Sequence, residues 1–334
     1  MKSIAIFNNK GGVGKTTLLC NLVAYLALAS KKKILVIDAD PQCNATQAFF
    51  PESDIEDFYD TGNYFTIYNV IEPLSLGKGY SEQLQIQRSE AFGVDVVLGD
   101  PRLALTEDLL AQDWKSASAG DARGLRTTFL FQQLLTLCSE YDYVFFDMGP
   151  SLGSINRSVL IAADFFVSPM AIDIFSLKAI ENISVSLKKW QSTLENGLKL
   201  NDHPDELPSG THGWSIRFAG YVTQQYTAKV DKSGERRAVA AYERIMKRIP
   251  AVINQEFVQK LQPDQKLRTY ELGTVPNLHS LIPMSQNSRK PVFELKAKDG
   301  VVGAHFTKVR DARDIFKTIA LRFEKNLATL GKSQ

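Results

Sequence analysis

Apolar positions in this chain fall into two patterns. The first is a short, nearly unbroken run, seen at Ile4 to Phe7, Ile34 to Ile37, Phe92 to Leu98, Tyr143 to Phe146, Phe165 to Val167, Ile216 to Val222 and around Leu272 to Val275. Such runs suit strands of a parallel sheet covered by helices on both faces. The second is helical spacing, over Leu18 to Leu28, Leu103 to Trp114, Ser176 to Leu194 and Lys308 to Leu327. In the last of these, Ala312, Ile315, Ile319 and Phe323 share one face, as a helix packed on a sheet requires. The stretch from Thr66 to Ile71 reads as a short helix. Strands alternating with helices predict the α/β class, with a doubly wound, mostly parallel sheet. A single domain over residues 1–334 is expected, with inserted loops near 51–92, 115–124 and 196–213.

Composition narrows the class without naming a chemistry. The chain has 334 residues, 44% apolar and 23% charged, which is ordinary for a globular protein that buries a large core. A net charge of +2 is too mild to announce nucleic-acid binding, yet leaves room for a local basic face. Cys20, Cys43 and Cys138 are scattered and have no C-x-x-C spacing, so reduced thiols in a cytoplasmic protein are expected. His203, His212, His279 and His305 lack ligand spacing, and no zinc is expected. The chain enters its first strand by Ser3-Ile4, which leaves no room for a signal peptide there. No run approaches the ~18 apolar residues of a membrane-spanning helix.

Chemistry concentrates between the first strand and the first helix. The stretch Asn9-Lys10-Gly11-Gly12-Val13-Gly14-Lys15-Thr16-Thr17 is a glycine-rich loop opening a helix. Glycines let backbone N–H groups turn inward, and the helix N-terminus adds a positive dipole end. Lys15 supplies a point charge for β/γ phosphates, and Thr16 a hydroxyl for Mg²⁺. The standard spacing of Gly, four residues and Gly-Lys-Ser/Thr is not met, because Asn9 fills its first position and a second lysine, Lys10, stands in the loop. The strand Tyr143 to Phe146 ends in Asp147, a Walker B arrangement that would hold Mg²⁺ through water beside Thr16.

The loop with its extra lysine resembles the deviant Walker A motif of the ParA/MinD class of ATPases. Asp38-Ala39-Asp40-Pro41-Gln42-Cys43-Asn44-Ala45-Thr46 resembles the same class's switch I, and Met148-Gly149-Pro150-Ser151-Leu152-Gly153 its switch II, with Gly149 in place of the first of two prolines. The resemblance covers the chain to about Phe323. It implies that Lys10 reaches the phosphates of the nucleotide in a partner subunit, that Asp40 positions the attacking water, and that Asp38 lies nearer the Mg²⁺ shell. It also implies that Pro276 and Asn277 pack on the adenine.

The segment from Lys229 to Arg248 carries seven Lys/Arg against three Asp/Glu and reads largely as helix. A solvated face and a DNA-tracking face are both compatible with it. Partition ATPases bind DNA non-specifically through scattered basic residues, which singles out Lys229, Arg236, Arg237, Lys247 and Arg248. Arg289-Lys290-Pro291 replaces the class's Gly-Lys-Pro and adds Arg289 and Lys290 to the candidates. MinD-type relatives end in a basic amphipathic helix. The end of this chain is short and mostly small or polar after Leu330, so no membrane anchor is expected.

These readings converge on a ParA-type ATPase that uses ATP and Mg²⁺ and sandwiches two nucleotides in a homodimer. Expected partners are non-specific DNA and a ParB-like activator, with nucleoid association if DNA is bound. The alternative is a MinD-like or cargo-positioning ATPase that ignores DNA. Nitrogenase iron proteins resemble the loop but need bridging cysteines that Cys20, Cys43 and Cys138 do not supply. Cobyrinic acid amide synthases need a Cys/His domain for which there is no motif.

Overall fold

In the computed structural model, residues 1–60, 64–208, 211–226, 228–230, 236–238, 240–264 and 267–331 are described, those within 225–241 by backbone alone. Strand β1 (Lys2–Ile6) passes through the glycine loop into α1 (Lys15–Leu28), and β2 (Ile34–Asp38) follows. Short helices α2 (Asn44–Phe49), α3 (Glu52–Asp60) and α4 (Ile67–Ser75) precede β3 (Gln87–Ser89) and β4 (Val94–Val97). Helices α5 (Glu107–Ala117), α6 (Ala122–Thr128) and α7 (Leu130–Thr136) lead to β5 (Tyr143–Asp147). Then come α8 (Ser154–Ala162), β6 (Phe165–Ala171), α9 (Ile174–Leu200) and β7 (Arg217–Tyr226). A ribbon of β8 (Ala228–Val230) and β9 (Arg236–Ala238) precedes α10 (Ala240–Ile253) and the single turn α11 (Gln259–Leu261). The chain continues with β10 (Glu271–Pro276), α12 (Leu281–Ser288) and α13 (His305–Leu330).

The described residues form an eight-stranded sheet in the order β10-β7-β6-β1-β5-β2-β4-β3. Every pairing is parallel except that of β3 with β4 at the edge. Side chains alternate between two cores. Ile4, Ile6, Val36, Phe145 and Val167 face α1 and α13, whereas Ala5, Leu35, Ile37, Phe146 and Phe166 face α7, α8 and α9. Both faces are therefore dry, which is why the strands read as unbroken apolar runs. On α13 the buried line is Ala312, Phe316, Ile319 and Phe323, with Ile315 only partly buried.

Three expected loops and one expected helix turn out differently. Within 115–124, α5 runs to Ala117 and α6 starts at Ala122, capped by Asp121, which accepts from the Gly124 amide at 2.7 Å. A Cβ on Gly124 would lie 2.5 Å from Asp113 O, so glycine permits the close packing of α5 on α6. Within 196–213, α9 continues to Leu200, because Gly197 lets it pass the Ala117 carbonyl, which a Cβ would meet at 2.1 Å. Residues 51–92 hold α3 and β3 beside α4, the short helix expected from Thr66, whose cap Thr66 and Asn69 bond reciprocally. From Lys229 to Arg248, helix begins only at Ala240. Before it lies the antiparallel ribbon that pairs Lys229 with Arg237 and Val230 with Arg236.

Candidate nucleotide site

The functional loop joins the central strand to α1. Gly12 and Gly14 adopt φ of 71° and 74°, the left-handed region that a side chain resists. A Cβ on Gly14 would stand 2.3 Å from Gln224 Oε1, and Gln224 Nε2 donates to the Gly14 carbonyl at 2.9 Å. Asn8 anchors the start of the loop. Its Nδ2 donates to Pro169 O at 2.8 Å, and its Oδ1 accepts from the Lys10 amide at 2.9 Å. Val13 is buried under the loop.

The two lysines have different surroundings. Lys15 is buried, and its Nζ donates to the Lys10 carbonyl at 3.3 Å. Burial lowers its pKa from the ordinary value, and the charges of Asp147 and Asp40 oppose that shift. Lys10 is half-exposed and ion-paired to Asp173, the residue that caps α9 by accepting from the Ser176 amide at 2.9 Å. Burial alone would raise the Asp173 pKa, but Lys10 and the Ser176 amide outweigh it and hold the carboxyl below its usual range.

Three carboxylates end the neighbouring strands. Asp147 Oδ2 accepts from Thr16 Oγ1 at 2.8 Å, while its buried Oδ1 has no hydrogen-bond partner. Burial first, and the nearby Asp38 second, raise the Asp147 pKa well above the usual range. An orphaned carboxylate oxygen beside a threonine hydroxyl fits a magnesium ion, which takes one or two protein ligands and completes its shell with water and phosphate. Asp38 is engaged inside the chain: its Oδ2 accepts from both the amide and the hydroxyl of Thr46, each at 2.7 Å. The Thr46 hydroxyl in turn accepts from the Gly99 amide at 2.8 Å, tying this segment to the end of β4. The other oxygen of Asp38, Oδ1, accepts from the Asp40 amide at 3.3 Å. Asp40 is 5% exposed, and its Oδ1 accepts from the Gln42 amide at 3.0 Å. A Cβ on Gly149 would come within 3.2 Å of the same oxygen, so glycine there gives the Asp40 carboxylate room. Asn156 pins the Gly149 and Ser151 carbonyls, donating at 2.8 Å to each.

A cavity of about 540 Å³ opens over the loop. Gly11, Gly12, Gly14, Lys15, Thr16 and Thr17 line it, with Asp40 and Pro150 from the loops after β2 and β5. Lys10 does not line it. Nor do Pro276 and Asn277, the expected adenine contacts: Pro276 closes β10, and exposed Asn277 accepts from the His279 amide at 2.9 Å. One face of α12 and its cap line the cavity instead, through Ile282, Ser285, Gln286 and Arg289.

The basic candidates separate. Lys247 and Arg248 are exposed on α10. Lys290 is only half-buried but pairs with Asp299 at 2.6 Å, and Arg289 belongs to the cavity wall. Lys229, Arg236 and Arg237 lie on the ribbon, where their side chains fall outside those described. Sequence reading missed Asn8, Gln224 and Asp173. Only Asp173 carried a local signal, an acidic cap three residues before Ser176 at a helix start.

A parallel sheet with a glycine loop after its central strand, a buried lysine, and an aspartate ending the adjacent strand define a P-loop NTPase of the deviant Walker A kind. The chain belongs to the AAA_31 family, the AAA domain whose model matches residues 1–200, and is a ParA-type ATPase. It is 25% identical over 281 residues to the virulence plasmid ParA family protein pGP5-D of Chlamydia psittaci, covering 80% of this chain and 98% of that one. It is 33% identical over 198 residues to the chromosome partitioning protein ParA of Myxococcus xanthus, covering 59% and 62% of the two chains. Among solved structures it resembles protein DIP2308 from Corynebacterium diphtheriae, with a TM-score of 0.69, 32% identity and coverage of 86% and 97%.

Proposed function

We propose that this ATPase works as an ATP-dependent homodimer that moves or positions DNA, binding it without sequence preference and hydrolysing ATP slowly until a ParB-like partner accelerates it. The observation that carries the reading is the placement of the two loop lysines. Lys15 lies over its own phosphate cradle, whereas Lys10 sits outside the cavity wall on a half-exposed ion pair. A second cation at the lip of the loop is available to a neighbouring active site in the way an arginine finger is.

In this mechanism the loop amides and Lys15 hold the phosphates of ATP. Thr16 and Asp147 would hold Mg²⁺, which supplies charge neutralisation on the phosphate oxygens. Asp40 accepts a hydrogen bond from the attacking water and orients it. The water oxygen bonds to the γ-phosphorus as the bond to the bridging oxygen breaks, and ADP and phosphate leave. Lys10 must leave Asp173 before it can serve a partner subunit, so dimer formation and hydrolysis are coupled through that contact.

The names of the relatives support partition as the role, since one is a plasmid ParA family protein and another a chromosome partitioning protein. One observation favours the second reading, cargo positioning without DNA: Lys290 is already paired and Arg289 faces the cavity, which thins the basic surface. Among the described residues, no helix is long and apolar enough to cross a membrane.

Light scattering with ADP, with ATP and with an Asp40→Ala variant tests the proposal. ATP should give a dimer, and Asp40→Ala should keep it while hydrolysis falls by about 10²–10³. Titrating non-specific DNA at two salt concentrations into each state should show binding by the dimer alone. A dimer indifferent to DNA selects cargo positioning, and no dimer with ATP ends the role given to Lys10.

A further inference from the structure

We infer that Arg289 is a nucleotide-binding residue whose guanidinium takes the α-phosphate of ATP or ADP. The inference rests on reading the cavity as the nucleotide site. Residues 282, 285, 286 and 289 recur at steps of three, one and three, so one face of α12 and its cap form a wall of that cavity. Arg289 ends the helix at φ 48° and ψ 53°, a left-handed conformation in which glycine is the unstrained choice. A long cationic side chain kept in that conformation, on the wall of a phosphate-binding cavity, has a use for its charge.

The neighbouring charges leave that use open. Lys290 is fixed to Asp299, whereas no ion pair engages Arg289 among the described residues. The cations lining the cavity are Lys15 and Arg289, and its carboxylate is Asp40.

Position along the loop selects the phosphate. The Val292 amide donates at 2.8 Å to Asn21 Oδ1, and Asn21 Nδ2 donates at 2.9 Å to Thr17 O. The segment carrying Arg289 is thus docked on α1 one turn past Thr17. In a P-loop the lysine reaches the β/γ phosphates and the backbone around it cradles the α/β phosphates. A guanidinium on the Thr17 side of the cradle meets the α-phosphate, which ATP and ADP share.

Calorimetric titration of the full chain with ATPγS and with ADP, each with Mg²⁺, tests this on wild type, Arg289→Gly, Arg289→Lys and Lys15→Ala. Arg289→Gly should raise Kd about tenfold for both nucleotides, the scale of one charge-assisted hydrogen bond. Arg289→Lys should raise it less. The ligand-free melting temperature of Arg289→Gly should not fall below wild type, since glycine suits the turn, so weaker binding cannot be laid to misfolding. Unchanged Kd values for both nucleotides overturn the inference, and a loss confined to ATPγS overturns the α-phosphate assignment. Intact nucleotide binding with weakened DNA binding by the ATPγS state returns Arg289 to a DNA surface and also overturns it. Lys15→Ala binding like wild type would show instead that the cavity is not the nucleotide site.

Discussion

The two flanks of β1 end in opposite chemistry. Toward β5 and β2, the strand ends carry Asp147, Asp38 and Asp40, all buried, and burial first, with neighbouring carboxylates adding to it, raises the pKa values of Asp38 and Asp147. Toward β6, β7 and β10, they carry neutral groups already joined in pairs: Asn8 with Pro169, Gln224 with Gly14, and Thr223 with Thr274 at 2.7 Å. These pairs are complete before any ligand arrives. The acidic flank is not, since Asp147 Oδ1 lacks a partner and Lys15 faces two carboxylates from a buried position. One side of the loop is scaffold, and the other holds an electrostatic deficit that a cation and a phosphate chain would fill. Active sites commonly trade stability for function in this way.

The sharpest way to break this contrast is Asp147→Asn. It should lower Mg²⁺-dependent hydrolysis by about 10²–10³ while leaving the ligand-free chain at least as stable in urea, because a crowded buried carboxyl is removed. A large loss of stability would show that the acidic flank is scaffold after all. On the neutral flank, Gly14→Ala should cost about 1–3 kcal/mol from left-handed strain and the approach to Gln224. Adding Gln224→Ala should recover the part due to the clash, read as coupling in a double-mutant cycle. Smaller still, Thr223→Val should cost about 0.5–1.5 kcal/mol in denaturant melts, the worth of one buried hydrogen bond, with hydrolysis unchanged. The least effect belongs to Asp173→Ala. An ion pair this exposed is worth little, so freeing Lys10 should lower the ATP concentration for half-maximal dimer by no more than about fivefold in scattering titrations. A rise in that concentration would mean that Asp173 supports the dimer and does not restrain Lys10.

How much of this was legible in the sequence follows the same divide. The acidic flank announces itself locally, because Ile34 to Asp38 and Tyr143 to Asp147 are apolar runs closed by a carboxylate, and Lys15-Thr16 follow glycines at fixed spacing. The neutral flank is built from contacts across long stretches of chain, such as Gln224 to Gly14, which no local pattern encodes. Helix ends failed for a related reason. Small residues around Ser116 to Gly120 look like a linker, yet Gly124 and Gly197 are there so that α6 and α9 can press against α5. Arg289 is a DNA candidate in the sequence only through the likeness of Arg289-Lys290-Pro291 to the class's Gly-Lys-Pro, whereas in the fold it lines the cavity. The left-handed end of α12 turns it inward, and that turn carries no signature when the residue is not glycine.

The position of β1 bears on how the molecule comes into being. Strand β1 is an inner strand of the sheet and leaves the ribosome well before its partners β5 and β6, which begin at Tyr143 and Phe165. At about 5–20 residues per second, roughly ten to thirty seconds of synthesis separate the first strand from its second neighbour. Through that interval the apolar run from Ile4 to Phe7 has no sheet to enter, and the glycine loop has no flanking strands to hold its shape. Nucleotide therefore cannot guide the early steps of folding, and the waiting β1 segment is one for chaperones to shield.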